Sequence, residues 1–540
     1  MSNTIIFDDD ARLWILKGIE IINNAVKLTM WPKGRNVIIE TWWTPLAIND
    51  GVTVARNIII DDSLQNLWAT IVKDACEKTN KEAGDGTTTT AMLTYAICKE
   101  WIKYIKNWIN PFVLTKALHK VSDVLIEQLC KSSIQITTNE QIKSIATLSS
   151  QDEEVGQLIA DIIAWIGNDW IITVEETKQI WLIKEIKEGM QFDSGYISPL
   201  FVNEYNKMEV IINNPTIIVT DKKISKFNDI YSILEKIWKS GKKDIVIIAE
   251  DIDWEALWNL ILNKLKNGLN IVAIKLPSFW DNKKEIMNDI TIVTGATLIS
   301  DTMATQLDTM TLENLWYAEK IIVTKDNTII INGQWDDKEL QDRLQLIKIQ
   351  LENKELSEYQ TKQLKERLAK LIWNIGIIKI GTNSQIETTN KKYKIEDAIQ
   401  ATQSAIEEWI TIGWWLALIK ANSVIDTHDS KTQEDSIAID ILTSAIKYPI
   451  LQICKNAGYE WEVVLSMLTK QTIDMQWNLL KIDYTTWFNA KTGNYEDLIQ
   501  SGIIDPVKVI RCSLQNAIST ASIFLTTECA ILQDKEDKDG

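Results

Sequence analysis

The sequence predicts a multidomain protein in which an α/β segment is inserted into a helical domain built from both ends of the chain. Three observations carry this reading. The chain has 540 residues, too many for a single hydrophobic core at roughly 150 residues per domain. Apolar residues recur every three or four positions near both termini, the period of helices with one buried face. Between them lie short β-branched runs separated by helical segments, as in a largely buried sheet.

Along the chain, helical spacing covers residues 13–26, 63–80 and 88–105, so residues 1–133 read mostly as helix. The strand-like runs are 217–220, 244–249, 271–274 and 296–300. Residues 337–371 are highly charged, with Leu340, Leu344, Leu351, Leu364, Leu368 and Leu371 at helical spacing, which predicts a solvated helical hairpin. From about residue 408 the helical pattern returns through 436–457, 460–468 and 506–532. The charged tail 533–540 has no apolar residue to bury and is expected to lack structure.

Composition narrows the function. A formal charge of −17 disfavours nucleic-acid binding, which calls for a basic face. The first residues show neither a basic n-region nor an apolar h-region, and no apolar run reaches membrane-spanning length, so a cytoplasmic protein is expected. Cys76, Cys98, Cys130, Cys454, Cys512 and Cys529 have no CxxC spacing and read as buried free thiols. His119 and His428 lie far apart without neighbouring cysteines, which argues against a metal role.

The sharpest motif is Ala83-Gly84-Asp85-Gly86-Thr87-Thr88-Thr89-Thr90. Two glycines around an aspartate allow a tight turn whose N–H groups face an anion. The threonines that open the next helix add hydroxyls and the positive end of its dipole. Asp85 is then placed to hold Mg2+ against bound phosphates. It is not a GxxxxGK[ST] loop, and taken alone the string also fits a simple capped helix start. The neighbours favour the first reading. Asn49-Asp50-Gly51 supplies a second carboxylate in a tight turn, and Lys394-Ile395-Glu396-Asp397 supplies a third.

These segments, in order from about residue 3 to residue 531, resemble a group I chaperonin of the bacterial GroEL type. The likeness rests on Val26-Lys27-Leu28-Thr29-Met30-Trp31-Pro32-Lys33-Gly34-Arg35-Asn36-Val37 and on Gly84-Asp85-Gly86-Thr87-Thr88-Thr89. It extends through Glu188-Gly189-Met190-Gln191-Phe192-Asp193, Ala405-Ile406-Glu407-Glu408-Trp409 and Thr526-Thr527-Glu528. The resemblance implies an all-α equatorial ATPase domain (1–133 and 408–540), a small α+β intermediate hinge domain (134–188 and 374–407) and an α/β apical domain (189–373). It also implies two stacked heptameric rings, a GroES-type cochaperonin, non-native polypeptide clients, and ATP with Mg2+ and K+.

Carried over residue by residue, the resemblance makes Asp397 the group that orients or deprotonates the attacking water, assisted by Asp50, and Asp85 the metal ligand. It places Thr29, Met30, Trp31, Pro32, Asn49, Gly51, Gly86, Thr87, Thr88, Thr89, Gly413, Trp414, Asn489, Ala490 and Asp505 around ATP. It places Tyr196, Leu200, Phe201, Tyr231, Leu234, Leu257, Ile261 and Leu262 in an exposed groove for client and cochaperonin. Spacing by itself assigns the stripes Phe227, Ile230, Tyr231, Leu234, Ile237 and Leu257, Leu260, Ile261 to core.

The chain departs from the family in several places. Asn374 stands at a common hinge glycine, and Asn49 replaces a lysine common beside the nucleotide. Lys491 follows Asn489-Ala490 where a small residue is usual, residues 470–486 look longer than usual, and the C-terminal Gly-Gly-Met repeats are missing. Tryptophan outnumbers glycine, 23 to 20, although glycine is normally about 7% of a chain. Most of the tryptophans, among them Trp31, Trp68, Trp254, Trp409, Trp414 and Trp415, fall where the family carries glycine. A UGA codon read as tryptophan where the organism inserts glycine would account for this exchange.

Overall fold

The computed structural model describes residues 3–40, 45–104, 110–167, 171–177, 180–192, 194–205, 207–276, 283–295, 299, 315–333, 337–351, 364, 374–422, 432–464 and 486–533. Its contacts form two compact units, one of residues 1–164, 174–182 and 379–540, the other of residues 165–173 and 183–378. The insertion of one unit into the other along the chain matches the sequence expectation.

The N-terminal stretch runs β1 (Asn3–Phe7), α1 (Asp8–Val26), β2 (Val37–Ile39), β3 (Leu46–Ile48), α2 (Gly51–Asn57), α3 (Ser63–Ala83) and α4 (Thr87–Ile102). It continues through α5 (Pro111–Lys131), α6 (Asn139–Ser150) and α7 (Glu153–Ile166). The middle comprises β4 (Ile171–Glu176), β5 (Leu182–Phe192), β6 (Val210–Asn213), β7 (Thr216–Ile224), α8 (Asn228–Lys239), β8 (Asp244–Ile252), α9 (Trp254–Asn267) and β9 (Asn270–Lys275). Then follow α10 (Lys283–Thr294), β10 (Trp316–Val323), β11 (Thr328–Gly333), α11 (Asp337–Leu351) and β12 (Asn374–Ile380). The C-terminal stretch holds α12 (Gln385–Glu408), β13 (Ile410–Ile412), α13 (Leu416–Asn422), α14 (Gln433–Ala445) and α15 (Tyr448–Ala457). It ends with β14 (Thr486–Asn489), β15 (Asn494–Asp497), β16 (Ile504–Pro506), α16 (Val507–Thr526) and β17 (Cys529–Gln533).

Local chemistry sets many of these boundaries. The Asp62 carboxylate accepts from the Gln65 N–H at 2.8 Å to start α3. Thr138 and Gln141 form a reciprocal capping box on α6, and Asn110 with Pro111 opens α5. In the first unit α4 is the central helix, buried from Thr89 through Cys98, and it packs with α1, α3, α14 and α16 in one continuous core. The chain ends close on each other: β1 pairs antiparallel with β17, Asn3 opposite Gln533.

The second unit is a sheet with strand order β5-β11-β10-β7-β8-β9, β6 also pairing with β10. β7, β8 and β9 are parallel and linked by α8 and α9, while β10 and β11 are antiparallel. The parallel strands read as unbroken apolar runs because they are covered on both faces, with Ile245 to Ala249 and Ile271 to Ile274 all 0% exposed.

Several expectations change. Residues 436–457 are two helices, because Pro449 has no N–H to continue α14 and its ring clashes with the preceding turn. The stretch Gln433–Ala457 is long and apolar enough to cross a membrane by composition, yet 61% of its window is buried in the unit. The helix expected over 506–532 ends at Thr526, and Gln533 closes a strand rather than opening the tail. Cys130 and Cys529 are exposed, not buried, whereas the other four thiols are buried. His119 shares a 3.3 Å contact with Ser522, and His428 lies outside the described residues. The first arm of the charged hairpin, α11, is not merely solvated: Leu344 and Ile347 are buried, with Leu340, Leu351 and Leu364 packed beside them. Leu368 and Leu371 lie outside the described residues, as does the charged tail beyond Gln533.

The groove expectation is corrected by burial. Tyr196, Phe201, Leu234, Leu257 and Ile261 all belong to the core of the second unit, Leu262 is half-buried, and Leu200 and Tyr231 alone of the set are exposed. The reason is helical phase. Ile230, Ile233, Leu234 and Ile237 share one face of α8 and are buried, leaving Tyr231 outward.

One ion-pair cluster fixes α11 to α10. The Arg343 guanidinium donates to Asp289 at 2.8 Å and to Glu285 at 2.6 Å, and Asp289 is only 2% exposed. Replacing Arg343 with Met removes the cation from a buried carboxylate and is expected to destabilise this unit by about 3 kcal/mol. A lowered urea midpoint for the unit checks it, and an unchanged midpoint contradicts it.

Candidate functional site

Within the first unit, residues from far-apart segments line one cavity of about 170 Å3. Three turns create it. The first is Gly84-Asp85-Gly86, between α3 and α4, where both glycines are left-handed with φ +71 and +87. An L-residue is strained at such angles. The turn leaves the N-terminus of α4 without a side-chain cap, so the N–H groups of Thr87, Thr88 and Thr89 are not spent within the helix. Thr29 joins this wall, its hydroxyl donating to the Val26 carbonyl at 2.8 Å and lying 3.4 Å from that of Thr88.

The second turn is Asn49-Asp50-Gly51 at the head of α2. Asp50 caps that helix, its two carboxylate oxygens accepting from Val52 N–H at 3.1 Å and Thr53 N–H at 2.9 Å. The third is Gly413-Trp414-Trp415, between β13 and α13. It is held by the antiparallel pairing of β13 with β16 and by Trp415 N–H donating to the Asp505 carboxylate at 3.0 Å. Asp397 enters from α12, one helical turn beyond Lys394.

Of the residues singled out in the sequence, Thr29, Met30, Trp31, Asn49, Asp50, Gly51, Asp85, Gly86, Thr87, Thr88, Thr89, Asp397, Trp414 and Asp505 all line this one cavity. Pro32, Gly413, Asn489 and Ala490 are not among its lining residues. Gly413 is tied behind the turn by its N–H to the Ile503 carbonyl at 3.0 Å. The Asn489 side chain is used in its own hairpin, accepting from Lys491 N–H at 2.9 Å and donating to Glu496. Sequence reasoning did not select Asn80, Ser149, Gln151, Lys394 or Ile453, which also line the cavity. Lys394 could have been found, since three residues before Asp397 puts it on the same helix face.

The site is acidic, with one lysine among the described residues that line it. Asp85 is exposed at its surface and lines the cavity, and desolvation by the protein atoms packed around its carboxyl raises its pKa. Burial also pushes the Asp505 carboxyl up, to about 7, against the opposing effect of the Trp415 and Trp414 N–H groups. The Lys394 ammonium donates to the Gln151 side-chain carbonyl at 3.0 Å, as does the Asn49 amide at 3.2 Å, and desolvation lowers the pKa of Lys394.

The third turn carries backbone strain. Trp414 and Trp415 have φ of 58 and 64, and Trp409, between α12 and β13, has φ 69 with ψ −171. A left-handed backbone costs an L-residue about 1–2 kcal/mol, and the region occupied by Trp409 is essentially open to glycine alone. The Trp414 indole N–H is buried without a hydrogen-bond partner, and its ring lies 6.4 Å from that of Trp31 in the cavity wall. Cavities that hold small molecules are usually about 300–1,000 Å3, so these two indoles narrow the space available.

The raised pKa of Asp505 has a stability consequence with a definite sign. The folded state binds its proton more tightly than the unfolded chain does, so this group's contribution is full below about pH 4 and is lost as pH rises toward about 7. Asp505→Asn is therefore expected to flatten the decline in stability across that window, with Asp85 supplying a remaining slope of the same sign. Thermal midpoints of both proteins measured across that window check it, and parallel curves contradict it.

With this geometry in place, comparison with known proteins is informative. The sequence model of the TCP-1/cpn60 chaperonin family matches residues 22–535. The fold is similar to that of the chaperonin gp146 from bacteriophage EL 2 (Pseudomonas aeruginosa), crystallised in the presence of ATP-BeFx. One crystal form gives a TM-score of 0.68 at 21% identity, covering 98% of this chain and 99% of that one. A second form gives 0.63 at 20% identity with the same coverage. The family match spans nearly the whole chain, and the protein belongs to the TCP-1/cpn60 chaperonin family.

Proposed function

We propose that this chaperonin binds and hydrolyses ATP in the cavity of its first unit and uses the cycle to fold non-native polypeptides. The observation that carries the reading is the convergence of Asp50, Asp85 and Asp397 with the uncapped N-terminus of α4 on one cavity. A helix N-terminus with open N–H groups favours phosphate. The hydroxyls of Thr87, Thr88 and Thr89 extend that surface, and Thr29 closes one side of it.

The donor set fits Mg2+ bound jointly with a nucleotide. Among the described residues there is no cluster of three metal-ligating side chains, and Mg2+ commonly takes only one or two carboxylates, its other ligands being water and phosphate oxygens. Asp85 is the carboxylate that would hold it, and the ion would supply charge neutralisation at the phosphates. The K+ implied by the resemblance accompanies this reading as a second cation.

Asp397 acts on the attacking water, orienting it or accepting its proton. Asp50 is kept in place by its bonds to the α2 N–H groups and assists electrostatically. Rings of subunits and a cochaperonin lid complete the proposal, with residues 134–188 and 374–407 acting as the hinge and the whole machine working in the cytoplasm. Client contact falls to outward apolar groups of the second unit, Leu200 and Tyr231 with half-buried Leu262, in place of the larger set expected from the family.

A second reading, a ring that holds clients without turnover, is favoured by one observation, the narrowing of the cavity by Trp31 and Trp414. Turnover separates the two. Asp397→Ala is expected to keep nucleotide binding while slowing ATP hydrolysis about 100-fold or more, and to abolish ATP-driven refolding of a denatured client. An unmutated protein that binds ATP but shows no hydrolysis would support the second reading instead.

A further inference from the structure

The left-handed tryptophans occupy positions that the surrounding structure leaves no freedom to change. Trp409 is pinned on one side by the end of α12 and on the other by its carbonyl, which accepts from the Val507 N–H at 3.1 Å. Trp414 and Trp415 are pinned between the Gly413 N–H bond to Ile503 and the Trp415 N–H bond to Asp505. Reversing the sign of φ at any of the three would break the pairing of β13 with β16, in which Ile410 faces Pro506 and Ile412 faces Ile504. Of the other non-glycine residues with positive φ among those described, Asn214 and Asn332 are of the type that tolerates it, whereas Gln151 and Met208 are not.

The indoles are unequally placed. Trp414 and Trp415 are 3% and 8% exposed and belong to the core of the first unit, but Trp409 is 44% exposed, the Trp414 N–H is buried without a partner, and the rings of Trp31 and Trp414 take up space in the cavity. Backbone strain at 409, 414 and 415, and crowding of the site by the rings of 31 and 414, therefore favour a residue with no side chain, against the apolar burial of the Trp414 and Trp415 rings. The same exchange is visible in the composition, 23 tryptophans against 20 glycines.

We propose that the protein made in its source cell carries glycine at 409, 414, 415 and 31, its gene using UGA there as a glycine codon. UGA differs by one base from the glycine codon GGA and by one base from the tryptophan codon UGG. A single anticodon change in a glycine tRNA thus suffices. With glycine at 31 and 414 the cavity opens next to Asp85 and Asp397, a consequence that rests on the nucleotide reading above.

Peptide mapping of the chaperonin purified from its source cells tests the assignment directly. The peptide covering 409–415 is expected to have the mass of three glycines in place of three tryptophans, and intact tryptophans there overturn it. Recombinant protein carrying Trp31→Gly, Trp409→Gly, Trp414→Gly and Trp415→Gly is expected to bind ATP about tenfold or more tightly than the tryptophan chain. Equal ATP binding by the two would overturn the occlusion argument. Glycine masses with no ATP binding by either chain would uphold the codon assignment and overturn the nucleotide reading.

A different observation carries a second inference. Among the described residues that line the cavity Lys394 is the one cation, and Asp50, Asp85, Asp397 and Asp505 are the acids. Its ammonium is held by a neutral amide, Gln151, which is itself in a left-handed conformation with φ 61 and also receives Asn49. Asp152 and Lys391, whose charges act on it, form their own ion pair at 3.1 Å. We infer that Lys394 is the lysine that grips the terminal phosphate of the bound nucleotide, a role for which Asn49 has no charge.

The test is discrimination between ATP and ADP, measured by calorimetry on the full chain. Lys394→Gln is expected to weaken ATP binding about tenfold or more while leaving ADP binding nearly unchanged, and Lys394→Arg to recover most of the loss. Equal effects on the two nucleotides, or no effect on ATP, overturn the inference. An unmutated chain that binds neither nucleotide instead overturns the nucleotide reading on which it rests.

Discussion

The site of the first unit depends on the burial of α4. A helix enclosed almost all round cannot tilt or slide without opening the core, so its N-terminus is aimed once and stays aimed. Polar contacts lock its register as well: Thr79 and Thr90 share a 2.9 Å hydroxyl contact, Asn516 donates to Thr79 at 3.0 Å, and Ser513 donates to the Gly86 carbonyl at 3.1 Å. Each is buried, where an unsatisfied hydroxyl or amide is costly. The helix that presents N–H groups to the cavity is thereby held by α3 on one side and α16 on the other.

Around that fixed end, the two other turns bring carboxylates. Asp50 is placed by capping α2, and Asp505 by accepting from the turn after β13. Both arrangements use backbone N–H groups to hold an acid in place; at Asp505, as at Asp85 in the neighbouring turn, desolvation outweighs those bonds and raises the pKa. The same geometry that holds Asp505 demands a left-handed backbone at 414 and 415. The tension between a precise acid cluster and bulky side chains at those positions is the clearest conflict in the molecule.

Much of the fold was legible because it is local. Helical spacing at 13–26 and 63–80 falls on α1 and α3, and the apolar runs at 244–249 and 271–274 announce buried parallel strands. The site was legible where it consists of turns, since Gly84-Asp85-Gly86 and Asn49-Asp50-Gly51 carry their conformations in their residue types. Lys394 and Gln151 were not selected, because a charged residue inside a helix and a glutamine beyond one acquire meaning only when α12 and α6 lie across the same cavity. For the apolar stripes of α8 and α9 the spacing was the better guide. Spacing alone assigned them to core, the family likeness moved part of them to the surface, and burial returned Leu234, Leu257 and Ile261 to the core.

By itself the sequence determined the interrupted helical architecture, the approximate place of several helices and of the buried parallel strands, the three acid-bearing segments and the excess of tryptophan over glycine. Only the tertiary structure decided that residues 29–31, 49–51, 85–89, 397, 414–415 and 505 face one cavity. It alone decided that 409, 414 and 415 require positive φ. The physical reason is that a turn's residue types encode its own dihedral angles, whereas convergence of distant segments comes from packing around a buried helix. The backbone sign at 409–415 follows from the β13–β16 pairing, whose partner strand lies some ninety residues further along the chain.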